Sequence, residues 1–189
     1  MAAFTHETFI KEDDYMTPKQ AWEDIREFIP TDKIIWEAFY GDGQSGNDLR
    51  EMGYDVVHES IDFFQEDRGE VIVTNPPFSL AKQIMPRLLE LDKPFILLMP
   101  SSKINTQYMR IFKNKLQIII PPKRINFLKM DKEGNVVPTK SCNFECFYYC
   151  YKIGLPNDIV WLDNWFILSL HILYELVRRL WTDIRITAA

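Results

Sequence analysis

Histidine and cysteine are scarce, three of each in 189 residues. Cys142, Cys146 and Cys150 recur at every fourth position with no histidine near them, so the ligand spacing that holds zinc is missing and no metal site is expected. An odd number of thiols suits a reducing compartment better than a disulfide framework. If that stretch is a strand, the three side chains share one face and are expected to be buried thiols. Glycine (7) and proline (11) are too few for a linker-rich or low-complexity chain. No apolar run is long enough to span a bilayer, since Trp165–Leu173 is broken by Ser169 and His171. Residues Met1–Asp14 are polar and acidic, unlike a secretory or transit leader. A cytoplasmic protein, of a bacterium or of the host cell of a virus, is the expectation.

An excess of positive charge is also missing, for the net charge is −5. Taken alone, that sum argues against a polyanionic partner. It conceals a gradient: residues 1–102 carry a net −11, residues 103–132 a net +7 and residues 133–189 a net −1. The basic block holds Lys103, Arg110, Lys113, Lys115, Lys123 and Arg124 as candidate phosphate contacts. The composition is 47% apolar and 14% aromatic, enough for one well-packed domain. Residues 1–156 are read as that domain. Residues 157–189 are read as an apolar helical extension that needs a partner, either the sheet or a second copy of the chain.

Short apolar runs alternate with helical patterns, which predicts βαβ units and a mainly parallel sheet. Thr17 is expected to cap a helix running to about Phe28, with Pro18 at its first position. Strands are expected at Lys33–Ala38, Tyr54–Val57, Glu70–Thr74, Pro94–Met99 and Leu116–Ile120. Helices are expected at Gln44–Met52, Ser79–Leu91 (capped by Ser79) and Asn105–Asn114. Arg124–Met130 and Val136–Lys152 read as a terminal antiparallel hairpin turning at Lys132–Asn135.

Two loops carry chemistry. Gly41-Asp42-Gly43-Gln44-Ser45-Gly46 fits G-x-G-x-x-G between a strand and a helix, the setting of a nucleotide fingerprint. A dinucleotide pyrophosphate or the amino-acid end of a nucleoside such as S-adenosylmethionine fits that turn, with Glu59 after the second strand as the candidate ribose ligand. The second loop, Asn75-Pro76-Pro77-Phe78, follows the buried run Val71-Ile72-Val73-Thr74. Two prolines stiffen the backbone and remove N–H donors. Asn75 and the carbonyl of Pro76 supply acceptors, and Phe78 supplies a flat face. That set suits a planar group bearing an exocyclic NH₂. Acceptors on both amine hydrogens draw the nitrogen lone pair out of ring conjugation and aim it at an electrophilic methyl.

With these residues the chain resembles the S-adenosylmethionine-dependent amino-methyltransferases, and most of all the small phage- and virus-type DNA adenine-N6 methyltransferases. Tyr15-Met16-Thr17-Pro18 resembles the family's Y-x-T-P segment, Glu37-Ala38-Phe39-Tyr40-Gly41-Asp42-Gly43 its D/E-P-F-x-G-x-G motif, Asp62-Phe63-Phe64 its D-F segment and Asn75–Phe78 its (D/N)-P-P-(Y/F) motif. The resemblance implies a class I, Rossmann-like sheet of seven mainly parallel strands with a C-terminal antiparallel hairpin. It implies cofactor contacts from Tyr15, Thr17, Glu37, Phe39, Gly41, Gly43, Glu59, Asp62 and Phe63, with Asp62 accepting from the cofactor's adenine amine and Phe63 packing on its ring. It implies catalysis by Asn75, Pro76, Pro77 and Phe78 on adenine in DNA, the base being flipped from the stack. Ala38 stands where the family usually has proline, and between Pro100 and the strand at Leu116 there is no room for a large target-recognition domain. An RNA amine, a protein glutamine amide or a non-catalytic binding module share the same fold. A nicotinamide oxidoreductase would explain the glycine turn but leave Asn75–Phe78 without a task.

Overall fold

The structure is a computed structural model that describes residues 15–130, 136–138 and 143–163. Its centre is a seven-stranded sheet in the order β2-β1-β3-β4-β8-β5-β9. The strands are β1 (Ile35–Trp36), β2 (Val56–Val57), β3 (Val71–Thr74), β4 (Phe95–Pro100), β5 (Leu116–Ile120), β8 (Cys146–Tyr151) and β9 (Ile159–Trp161). β1, β2, β3 and β4 pair in parallel, and so do β5 and β9. β8 runs antiparallel between β4 and β5. This is the Rossmann-like, mainly parallel α/β fold that the alternation of runs predicts.

Alternation along the strands builds two cores. Val71, Val73, Ile96, Leu98, Tyr148 and Cys150 face one layer with Ala21, Trp22, Ile25 and Leu49. Ile72, Phe95, Leu97, Met99, Tyr149 and Tyr151 face the other with Ile84, Met85 and Leu88. The first layer carries α1 (Lys19–Glu23) and α2 (Gln44–Glu51), the second α3 (Ala81–Leu91). Strands covered on both faces lack polar alternation, which is why the runs at 71–74 and 95–100 read as continuous apolar stretches. Tyr148 hydroxyl ties β8 to α1 by donating to the Ala21 carbonyl at 2.6 Å.

Several local expectations are corrected. The first helix is one short turn of α-helix followed by a 3₁₀ turn at Arg26–Phe28, and Thr17 makes no capping bond. Residues Phe78–Leu80 form a 3₁₀ turn, so α3 starts at Ala81 with no side-chain cap. Within the helix expected at 105–114 only a 3₁₀ turn, Met109–Phe112, forms, preceded by another at Ser101–Asn105. There the chain must cross from the carboxyl end of β4 to the amino end of β5, and Met109 and Phe112 anchor it. The terminal hairpin is also different. β6 (Leu128–Met130) pairs with β7 (Val136–Pro138) in a separate two-stranded sheet, and β8 enters the main sheet alone. The run of β8, four of its six residues aromatic, suits the centre of a sheet, whereas all three residues of β7 are exposed.

Cys146 and Cys150 lie on one face of β8, buried in the same core, as their spacing predicts. Burial pushes the Cys150 thiol up to about 12, so it stays a neutral thiol at physiological pH. Cys142, the 132–135 turn, the amino-terminal segment before Tyr15 and the expected helix around Trp165–Trp181 lie outside the described residues. Among the described residues no helix is long and apolar enough to cross a membrane.

Candidate active site

The chain reverses direction across the sheet at β1. α2 carries it from β1 to β2 on one side, and β3 returns on the other side. The carboxyl ends of β1 and β3 therefore open a crevice, the place where open α/β sheets bind ligands. Glu37–Gly46 leaves β1 there, His58 leaves β2 and Asn75–Phe78 leaves β3. Because β8 runs backwards, Phe144 and Glu145 precede it at the same edge, and Ser101 N–H donates to the Glu145 carbonyl at 2.8 Å.

The glycine turn has the backbone its residues permit. Gly41 and Gly43 adopt φ of +56° and +84°, and Gly43 N–H closes the turn on the Tyr40 carbonyl at 2.8 Å. Asp42 Oδ1 accepts from the Gln44 N–H at 3.0 Å. The third glycine serves packing: a Cβ on Gly46 would lie 2.3 Å from the His58 ring. That ring also stacks on Tyr40, centroids 4.9 Å apart.

Behind the turn lies a buried polar cluster. Thr74 Oγ1 donates to Glu37 Oε1 at 2.6 Å. His58 Nδ1 lies 3.0 Å from the Glu37 carbonyl, and as a carbonyl only accepts, Nδ1 carries the proton. The same nitrogen is 2.6 Å from Glu37 Oε2, close enough for charge attraction, while its N–H points at the carbonyl. Burial alone would lower the His58 pKa, but the bonds to Glu37 outweigh it and the ring lies above its ordinary value, with Arg50 opposing. A raised folded-state pKa stabilises the protein fully below the unfolded value of 6.5 and loses that contribution as pH rises through the folded value. The melting temperature is expected to fall above about pH 6.5, and His58→Gln to flatten that part of the profile. Thermal melts of both proteins across this range check it.

The second loop orients one amide. Asn75 Nδ2 donates to the Tyr15 carbonyl at 3.1 Å, which fixes the direction of the group. Asn75 Oδ1 is left buried with no hydrogen-bond partner. Tyr15 is held there by a two-way backbone bridge between Met16 and Leu128, each bond 2.9 Å long. Around the loop four rings converge. Phe78 stacks on Tyr15 at 6.3 Å and meets Phe127 and Phe144 edge-on at 6.3 and 5.7 Å. Lys129 Nζ stands 4.1 Å over the Tyr15 ring.

Tyr15, Glu37, Phe39, Gly41, Gly43, Asn75, Pro76, Pro77 and Phe78 thus share one edge, with Thr17 buried and Glu59 exposed after β2. Phe63 is elsewhere. It is 1% exposed, packed on Trp36 and Phe39 in the core, and the half-buried ring beside Asp62 is Phe64. Asp62 Oδ1 accepts from the Phe64 N–H at 2.9 Å. The basic block is divided. Lys103 follows β4 and Lys123 and Arg124 follow β5, at the site edge, but Lys113 and Lys115 precede β5 at the opposite edge. Arg110 is exposed on the crossover between those edges, and Arg124 Nε donates to Glu145 at 2.7 Å.

Phe127, Phe144, Lys129, Thr74 and His58 carry parts of the site that motif spacing does not reveal. The polar residues Glu37, His58 and Thr74 each end an apolar strand, and that repetition is the signal that could have found the cluster. Phe127 and Phe144 lie in irregular segments whose neighbours only the tertiary fold decides.

No model of a known protein family matches the chain. The chain is 28% identical over 144 residues to the type II methyltransferase M.EcoRI of Escherichia coli, a stretch that is 70% of this chain and 37% of that protein. It therefore spans well under half the length of that relative. Among solved structures, a proposed RNA methyltransferase, PH1948 from Pyrococcus horikoshii, superposes with a TM-score of 0.44 at 11% identity, over 77% of this chain and 90% of that one.

Proposed function

We propose that the chain transfers a methyl group from S-adenosylmethionine to the exocyclic N6 amine of adenine in DNA. The observation that carries this reading is Asn75 Oδ1, a buried acceptor whose amide is already oriented by Tyr15 and which has no partner of its own. Leaving such an atom unpaired costs about 1–3 kcal/mol, a cost a bound amine hydrogen would remove. The likeness in sequence to a type II methyltransferase supports the same reading.

The glycine turn fits the cofactor. Gly41 and Gly43 are in the left-handed region, and a Cβ on Gly41 would meet only the Phe39 carbonyl at 3.9 Å, so the backbone can be approached closely. Tyr15, Thr17, Phe39, Gly41 and Gly43 would hold the methionine end, with Glu37 behind them. Glu59 would hold the ribose, and Asp62 with Phe64 the adenine. Bound there, S-adenosylmethionine supplies the electrophilic methyl group. Asn75 Oδ1 and the Pro76 carbonyl accept the two hydrogens of the target amine and orient its lone pair. Phe78 and the rings around it form the flat apolar wall for the base. The alkylated amine sheds a proton readily, so no strong base is required at the nitrogen.

Labelled S-adenosylmethionine incubated with unmethylated genomic DNA, total RNA and protein tests the assignment. Label on N6-methyladenine in DNA is the expected result. Clear transfer to RNA or protein with none to DNA overturns the substrate. The two edges of the sheet make a second prediction. Alanine at Lys103 and Lys123 together is expected to flatten the dependence of log affinity on log salt by roughly 1–2. Alanine at Lys113 and Lys115 together should leave that slope unchanged, as read by binding titrations over a salt series.

A further inference from the structure

The mechanism above gives the cluster of Glu37, His58 and Thr74 no contact with a reacting atom, yet each of its members belongs to a different working loop. Thr74 is covalently next to Asn75. Glu37 opens the segment that becomes the glycine turn. His58 packs one ring face on Tyr40 of that turn and its edge on Gly46 of α2. All three residues are buried, Glu37 to 1% exposure and Thr74 to 0%. A buried charge held by hydrogen bonds is no more stabilising than apolar packing of the same volume. What it adds is directionality: a hydrogen bond of 2.6 Å between Thr74 and Glu37 admits one spacing of β3 against β1.

We propose that Glu37, His58 and Thr74 form a positioning device that fixes the register between the loop that holds the cofactor and the loop that holds the target amine. The inference rests on the methyl transfer proposed above. Glu37 receives Thr74 on one oxygen and His58 beside the other, so it is the joint between the two halves. His58 then sets the height of α2 and Tyr40 over the turn. A shift of the order of 1 Å between a nucleophile and an electrophile can cost about 10²-fold in rate.

Thr74→Val removes only the hydroxyl. Its turnover is expected to fall by roughly 10–100-fold while cofactor affinity, measured by calorimetry with S-adenosylhomocysteine, stays within about twofold of the parent. Thr74→Ser restores turnover. Amide hydrogen exchange in the valine variant is expected to rise together at 75–80 and at 39–46, although only the first segment adjoins the substitution. Turnover within about twofold of the parent, no rescue by serine, or faster exchange confined to 75–80 overturns the device. The exchange and calorimetry readouts do not depend on the substrate. A parent protein that methylates no DNA, with the joint rise in exchange still seen in the valine variant, refutes the proposed reaction and leaves the linkage standing.

Discussion

Asn75→Ala is expected to bind S-adenosylmethionine as the parent protein does and to lose turnover by roughly 10²–10³-fold, the cost of deleting one preorganised partner of a reacting group. The Asn75 side-chain nitrogen already donates to the Tyr15 carbonyl, and its oxygen is left as a buried acceptor with no partner. Alanine removes that oxygen and releases Tyr15, but leaves Pro76 and Pro77 to hold the backbone. The loss should therefore appear in the chemical step. Single-turnover methylation with saturating cofactor and a calorimetric titration of S-adenosylhomocysteine separate the two quantities. Near-parental turnover in the alanine variant would remove Asn75 from the mechanism. Asn75→Asp is a useful companion, because a carboxylate keeps an acceptor and loses the donor to Tyr15. It should retain more activity than alanine.

Gly46→Ala carries the largest expected effect on stability. In most helices alanine is preferred to glycine, so propensity alone predicts a gain. Here the new methyl would sit 2.3 Å from the His58 ring. The ring has little room to retreat, since Nδ1 is bound to Glu37 and one face lies on Tyr40. Either α2 lifts or the cluster breaks. Overpacking of this kind costs about 2–3 kcal/mol, or roughly 5–10 °C in melting temperature for a chain of this size. Thermal melts with and without cofactor check both the loss and a weakened rescue by ligand. A substitution that raises the melting temperature would show that His58 can leave its place at little cost.

Legibility from the sequence differed between the parts of the molecule. β3, β4 and β5 were evident because uninterrupted apolar runs have few alternatives once a parallel sheet is inferred. β1 and β2 came out shorter than expected, two residues each: β1 is trimmed at both ends, and β2 at its start, where the Tyr54 N–H donates to the Leu49 carbonyl of α2 instead of joining the sheet. The glycine turn and the Asn75 loop were visible since each depends on local backbone chemistry. The helix expected at 105–114 was not formed, because its apolar residues serve as anchors of a crossover. Tertiary demand overrode the periodic pattern there. Phe63 and Phe64 are adjacent and alike in type, and only packing decides which enters the core. The division of the basic block is a matter of topology: Lys115 and Lys123 are near in sequence, but β5 lies between them.

The place of β8 has a consequence for the order of assembly. Its antiparallel pairing joins Phe95 to Tyr151 and Leu116 to Tyr151, so the middle of the sheet waits for residues that leave the ribosome some fifty positions after β4. Until then β4 offers an open edge of six residues that are all buried in the finished fold. Such an edge is sticky toward other chains. A nascent chain stalled before Cys146 is therefore a natural client for holding chaperones, and its time in that state depends on how fast translation crosses 101–145.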